Sequence, residues 1–159
     1  MSEGISIRHY RPDDLPQLKQ ITIDSFGGVA MEQKLEEKYG RWNERSWQER
    51  KGDQIKDDCT ANPGGVFVAE RDGVIVGYIT TSIDKVNSRG RIPNMAVVEG
   101  ARGLGLGRRL VHHALDYFRQ TGMKVAQIET MESNDIGQHL YPSCGFEEIA
   151  RQVHYAMKL

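Results

Sequence analysis

Cysteine is scarce here: Cys59 and Cys144 are the two in 159 residues. Neither stands at a metal-ligand spacing, so a zinc-ribbon or disulfide-framed domain is excluded, and two free thiols of the cytosolic kind are expected. Long apolar runs are also missing, so no segment can span a bilayer, and the N-terminus lacks the apolar core of a signal peptide. An excess of one charge is absent as well. With 21 Lys and Arg against 22 Asp and Glu, the net charge is −1, which offers no general attraction to nucleic acid or an anionic membrane. No repeat or low-complexity tract interrupts the chain. The expectation is one cytoplasmic domain over residues 1–159, binding neither nucleic acid nor membrane and holding no metal.

What is present is strong patterning. Ile5 and Ile7 alternate with polar residues as a short first strand. Pro12-Asp13-Asp14 opens a helix with Leu15, Leu18, Ile21 and Phe26 on its apolar face, ended by Gly27-Gly28. The charge-rich stretch from Met31 to Asp58 predicts one or two helices. Val66–Glu70 and Val74–Ile79 are strands joined through Arg71-Asp72-Gly73, a hairpin signal. Arg91 to Val98 reads as the next strand, with Pro93 marking a start, an edge or a bulge, since proline cannot donate to a ladder. Gly105 to Thr121 carries a helical stripe of Leu106, Leu110, Ala114, Leu115 and Phe118. Val125–Met131 reads as a strand, Asp135–Cys144 as a short helix and Glu147–Leu159 as closing strands.

The richest segment is Arg102-Gly103-Leu104-Gly105-Leu106-Gly107, preceded by Met95-Ala96-Val97 and followed by Arg108-Arg109. It reads as strand, glycine turn and helix start. Glycines permit backbone conformations that other residues resist, and a helix N-terminus offers unpaired N–H groups and partial positive charge, which together suit phosphate. A P-loop would need Gly-Lys-Ser/Thr after the turn, which is absent. A dinucleotide fingerprint would need G-x-G-x-x-G in a βαβ unit, whereas the spacing here is G-x-G-x-G.

Arg-x-x-Gly-x-Gly after Asn94-Met95-Ala96-Val97 resembles the acyl-CoA pyrophosphate loop of the GNAT N-acyltransferase superfamily. The stretch Asn134 to Phe146, with Leu140-Tyr141 and a closing Gly145-Phe146, resembles that superfamily's later motif. The resemblance covers nearly the whole chain and is weakest from about Gly27 to Asn62. It implies a mixed α/β fold: a bent, mostly antiparallel sheet with splayed central strands and helices on both faces. It also implies acetyl-CoA as cofactor, coenzyme A as product, and an amine acceptor, either a small molecule or a peptide N-terminus. Dimers are frequent among relatives, so a homodimer is left open, while the sequence itself does not fix the oligomeric state.

On this resemblance, the amides from Arg102 to Arg108 hold the pyrophosphate, with Gly105 and Gly107 the sensitive positions. Arg102, Arg108 and Arg109 add charge, or else mark a solvated helix start. The backbone of Met95 and Val97 pairs with the pantetheine arm, and an N–H near Val97 polarises the thioester carbonyl. Tyr141 is the general acid for the departing thiolate; read alone, it is a helix tyrosine packed near Phe146. Asn134 contacts the pantetheine arm or caps a helix. Glu129, five residues before Asn134, is the general base or a solvent-facing carboxylate. His139 points away from Tyr141 on a helix, and Cys144 is expected to be buried rather than nucleophilic. Trp42 and Trp47 are core residues or line an acceptor pocket. A non-catalytic acyl-CoA sensor, or an interaction module docking on Met31 to Asp58, fits the same chain.

Overall fold

The computed structural model describes residues 4–159. The chain runs β1 (Ile5–His9), α1 (Leu15–Ser25), α2 (Met31–Tyr39), α3 (Trp47–Ala61), β2 (Phe67–Arg71), β3 (Val74–Ile79), β4 (Ser82–Asp84), β5 (Arg89–Arg91), β6 (Met95–Val97), α4 (Leu106–Gln120), β7 (Val125–Gln127) and α5 (Asp135–Ser143). Local chemistry accounts for several boundaries. Asp72 and Gly73 both adopt positive φ, 52° and 77°, as a two-residue hairpin turn between right-twisted strands requires. Ser46 accepts a hydrogen bond from the Glu49 amide, while Glu49 reaches back to the Ser46 amide, a reciprocal cap that starts α3. The Arg8 guanidinium ties β1 to Asp14 and Glu70, at 2.8 Å each. Its hydrogen bonds hold the Asp14 carboxyl below the usual carboxylate range, against the opposing effect of burial.

Strands β1, β2, β3 and β6 form an antiparallel sheet in that order, and β4, β5 and β7 form a second in which β5 and β7 are parallel. Side chains alternate across the first sheet and so feed two cores. Phe67, Ala69 and Ile79 join Leu106, Leu110, Val111, Ala114 and Phe118 of α4. Val66, Val68, Tyr78 and Ala96 join Leu18 and Ile21 of α1 with Ile55 and Cys59 of α3. Helices therefore cover both faces, as expected. Each fully buried aliphatic side chain contributes about 1.5–3 kcal/mol by leaving water. Tyr78 is wholly buried, and its hydroxyl is paired with Thr22 Oγ1 at 2.6 Å.

Three strand expectations need correction. Arg91 to Val98 is two pieces, β5 and β6, in different sheets, with Pro93 between them. The strand expected over Val125–Met131 ends at Gln127, whose C=O takes the last bond of the pairing, from the N–H of Ile92 just past β5, at 3.1 Å. Glu147 to Leu159 forms no strand, and every residue in it is exposed. A strand requires a neighbour to take its N–H and C=O groups, and among the described residues the segment has none. The stretch from Met31 does contain two helices, and α4 lies within a residue of its expected ends. Among the described residues, no helix is long and apolar enough to cross a membrane.

Gly90 fixes how closely β5 approaches α4: a Cβ there would lie 2.4 Å from the Phe118 ring. Gly90→Ala is expected to lower unfolding free energy by about 1–3 kcal/mol through overpacking, measurable by urea denaturation.

Candidate active site

The site begins with a strand that loses a neighbour. Thr80 N–H donates to Asn94 C=O at 2.8 Å and Val98 N–H to Val76 C=O at 2.9 Å. With Tyr78 opposite Ala96, the two-residue alternation of an antiparallel ladder directs the Ala96 amide and carbonyl toward β3. The N–H and C=O groups of Met95 and Val97 therefore face the other way. On that side pairing to β7 has stopped at Ile92, and Pro93 supplies no N–H. The expected splay of the central strands is present, and β6 is its open edge.

This edge leads through a turn into α4. Gly103 and Gly105 adopt left-handed φ values of 78° and 73°, and Gly105 is the N-cap of α4, with no side chain bonded to the first-turn amides. A Cβ at Gly105 would meet nothing within 4 Å, so backbone conformation is what demands glycine there. Gly107 differs. Its φ is not left-handed, and a Cβ would stand 3.1 Å from Leu140, so this glycine sets the approach of α4 to α5. The N–H groups of Leu106, Gly107 and Arg108 precede the first helical bond, Arg109 N–H to Gly105 C=O. They form a cluster of donors at the positive end of the helix.

Edge and donors open into one cleft of about 490 Å³. Met95, Ala96 and Val97 form one wall, and Arg102, Gly103 and Gly105 to Arg108 form its floor. The opposite wall is Asn134, Ile136, Gly137, Leu140 and Tyr141. Ser25, the last residue of α1, and Phe26 and Val29 after it close the end. Tyr141 packs edge-on against Phe146, with ring centres 6.2 Å apart, and burial pushes its phenol up to about 12. It is thus both the packed helix tyrosine and a cleft residue. A Cβ at Gly137 would lie 3.0 Å from the Tyr141 ring, so the glycine makes room for it. Asn134 Oδ1 accepts from the Gly137 amide at 3.1 Å and Nδ2 donates to Thr130 Oγ1 at 2.8 Å, so its side chain caps α5.

Of the other expected residues, Arg102 and Arg108 stay at the cleft, whereas Leu104, Arg109 and Glu129 stand outside its lining. Leu104 packs against the core. Arg102 Nε donates to Val97 C=O at 3.3 Å, and Arg108 donates to Ser143 C=O at 2.7 Å. Arg109 reaches the Ile5 carbonyl instead, bracing β1. The Glu129 carboxylate accepts from Arg91 at 2.9 Å and Gln127 at 2.7 Å. It stands just past the end of β7, where β6 and β7 part, not among the cleft-lining residues. His139 is exposed and Cys144 half-buried. Trp42 lies against the Arg50 guanidinium at 4.0 Å, and neither tryptophan lines the cleft.

Charge and spacing did not reveal the buried polar network behind β6. Lys51, on α3, donates to Asn94 Oδ1 at 2.7 Å and sits 4.6 Å from the Phe26 ring centre. Asn94 Nδ2 and Thr80 Oγ1 both donate to Asp58, at 2.7 and 3.1 Å. Burial lowers the Lys51 pKa and raises that of Asp58. The network anchors the residue immediately before Met95 and supports Phe26 at the closed end. Asn94→Ala would take one hydrogen-bond partner from Lys51, which keeps Gln54, and one from Asp58, which keeps Thr80, and is expected to cost about 1–3 kcal/mol, read by chemical denaturation.

Comparison with known proteins agrees with this geometry. The chain is 30% identical over 155 residues to a mycothiol acetyltransferase of Thermomonospora curvata, covering 96% of this chain and 48% of that protein. It spans about half the length of the curated relatives it matches. Its fold is shared with a Pyrococcus horikoshii protein (TM-score 0.74, 23% identity, 94% and 92% of the two chains). It is also shared with an aminoglycoside N-acetyltransferase solved in complex with CoA (TM-score 0.69, 19% identity, 98% and 95%). The model of the acetyltransferase (GNAT) family matches residues 30–146, and the chain belongs to that family.

Proposed function

We propose that this chain is an acetyl-CoA-dependent N-acetyltransferase acting on a primary amine. One observation carries the reading: the open edge of β6 and the free amides that begin α4 line a single cleft that also contains Tyr141. An elongated ligand with amide groups at one end and phosphates at the other fits both features. The amides of Leu106 to Arg108 suit the pyrophosphate, and the Met95 backbone groups with the Val97 N–H suit the pantetheine amides, as an added strand would. Arg102 and Arg108 flank the phosphate end. Acetyl-CoA supplies an acetyl thioester, whose carbonyl carbon the amine attacks.

The residues then divide the work. A backbone N–H near Val97 donates to the carbonyl oxygen as negative charge develops there, an interaction of about 3–4 kcal/mol where the donor is preorganised. Tyr141 holds a proton at its phenolic oxygen. With its pKa raised to about 12, it remains protonated throughout the neutral range and can deliver that proton to the departing sulfur. Asn134 caps α5 and so fixes the helix that carries Tyr141. Glu129, beside the strand fork, receives the proton of the attacking amine through water. The acceptor enters from the side walled by α2 and α3, which carries eight acidic and seven basic side chains from Met31 to Asp58 and so favours neither charge. A small-molecule amine or a peptide N-terminus fits this wall.

Thiol release from acetyl-CoA, followed with aminoglycosides, amino sugars, polyamines and peptides, tests the reading. Acceptor-dependent release supports it, while binding without release from any amine would favour a sensor. Tyr141→Phe is expected to lower kcat by about 10²-fold or more with little change in acetyl-CoA affinity by calorimetry. Gly105→Val, which forces a β-branched residue into left-handed φ, is expected to abolish that affinity. Glu129→Gln should slow transfer most at pH values where the amine is protonated.

A further inference from the structure

The two ends of the cleft differ in chemistry. The free amides of Leu106 to Arg108 lie past the C-terminal end of β6. The other end lies beside the start of that strand. Lys51 donates to Asn94 Oδ1 at 2.7 Å and holds its ammonium 4.6 Å from the Phe26 ring centre, which places Phe26 next to the residue preceding Met95. Ser133 Oγ stands 3.4 Å from the Gly28 carbonyl oxygen, so the turn after α1 meets the loop before α5 and bounds the cleft there. A cofactor laid along β6 with its phosphates on α4 points its thioester toward this end. The group attached to the attacking amine is received there.

The lining at this end is apolar. Phe26, Val29 and Met95 stand opposite Ile136 and Tyr141, and Ile136 is 62% exposed, an apolar side chain open on a cleft wall. Among the described residues no carboxylate lines the cleft, whose two charged side chains are Arg102 and Arg108. Carboxylates around it are engaged elsewhere. Glu129 pairs with Arg91 at 2.9 Å and Glu132 with Arg151 at 3.5 Å, while buried Glu32 and Asp58 act on the Lys51 ammonium behind Phe26. A second ammonium on the acceptor would exchange water for apolar walls with no counter-charge, at a cost in desolvation. An apolar substituent gains instead, because its burial against Phe26, Val29 and Ile136 removes hydrocarbon from water on both partners.

We infer that the acceptor is a primary monoamine with an apolar substituent next to the amine and no second positive charge. This rests on acetyl transfer as the activity and names its substrate class. The outer wall of α2 and α3 is balanced in charge and does not select; the inner end does. Two sources share this chemistry: an aralkylamine or branched alkylamine, and a peptide whose first residue is apolar. The 490 Å³ of the cleft also has to hold the pantetheine arm, so the substituent is compact.

Thiol release from acetyl-CoA, measured with phenethylamine, isopentylamine, the tripeptide Leu-Gly-Gly, spermidine and neamine, tests it. The kcat/KM of an apolar monoamine is expected to exceed those of spermidine and neamine by about tenfold or more, and the amines and the peptide separate the two sources. Val29→Glu, in the turn after α1, brings a carboxylate to this end and is expected to raise the spermidine-to-phenethylamine ratio of kcat/KM by about tenfold. Val29→Gln, of the same length without the charge, should leave that ratio low. Calorimetry of phenethylamine against the protein saturated with coenzyme A keeps the two readings apart: binding without thiol release would leave the ligand class standing and overturn acetyl transfer. Faster release with spermidine or neamine than with any apolar monoamine would overturn the inference and leave acetyl transfer standing. So would a Val29→Glu ratio no higher than that of Val29→Gln. Neither release from any amine nor binding of phenethylamine would overturn both.

Discussion

The site depends on a backbone ladder that stops. Between Ile92 and Met95 one chain segment leaves the sheet containing β7 and joins the sheet containing β3, and Pro93 lies at the changeover with no N–H to offer either side. Past this point β6 has one satisfied edge and one open edge. An unmade backbone hydrogen bond is costly when buried, so such an edge persists where water or a ligand can reach it. The cleft provides that access, and the groups left out of the ladder stay available within it.

Helix α4 links the open edge to the core. Its buried stripe of Leu106, Leu110, Val111, Ala114 and Phe118 locks it onto the face of the sheet formed by β2, β3 and β6. Gly77 and Gly90 let it sit close, since added side chains at either would meet Leu110 or Phe118. Because the helix body is immobilised, its first amides keep a defined direction relative to β6. The same packing that stabilises the domain therefore preorganises these donors. On the far wall, α5 is held by the Asn134 cap and by Leu140 against Gly107, which presents Tyr141 to the same cleft.

The polar network of Lys51, Asn94, Asp58 and Thr80 supports the opposite side of β6. It joins α3 to the residue preceding the open edge, and its cation lies against Phe26, which closes the cleft. The charge-rich region between Met31 and Asp58 is thus not merely a solvated surface. Part of its charge is buried behind the site, in partnership with the strand that the site uses.

Much of this was legible from local pattern. The hairpin at Asp72-Gly73, the boundaries of α1 and α4, the left-handed Gly105 and the significance of Pro93 all follow from conformational preferences of a few neighbouring residues, and these hold in any surroundings. The two motifs likewise point to the walls of the cleft, because a glycine turn and a capped helix carry their geometry with them. Long-range pairing is of another kind. The early end of β7, the division of Arg91 to Val98 between two sheets, the placement of Arg109 on Ile5 and of Glu129 on Arg91, and the burial of Lys51 beside Asn94 each depend on which distant segment arrives as neighbour. The segment after Glu147 shows the difference most clearly. Its alternation is a property of the sequence alone, but a strand exists only when another backbone supplies the complementary N–H and C=O groups, and that is decided by tertiary structure.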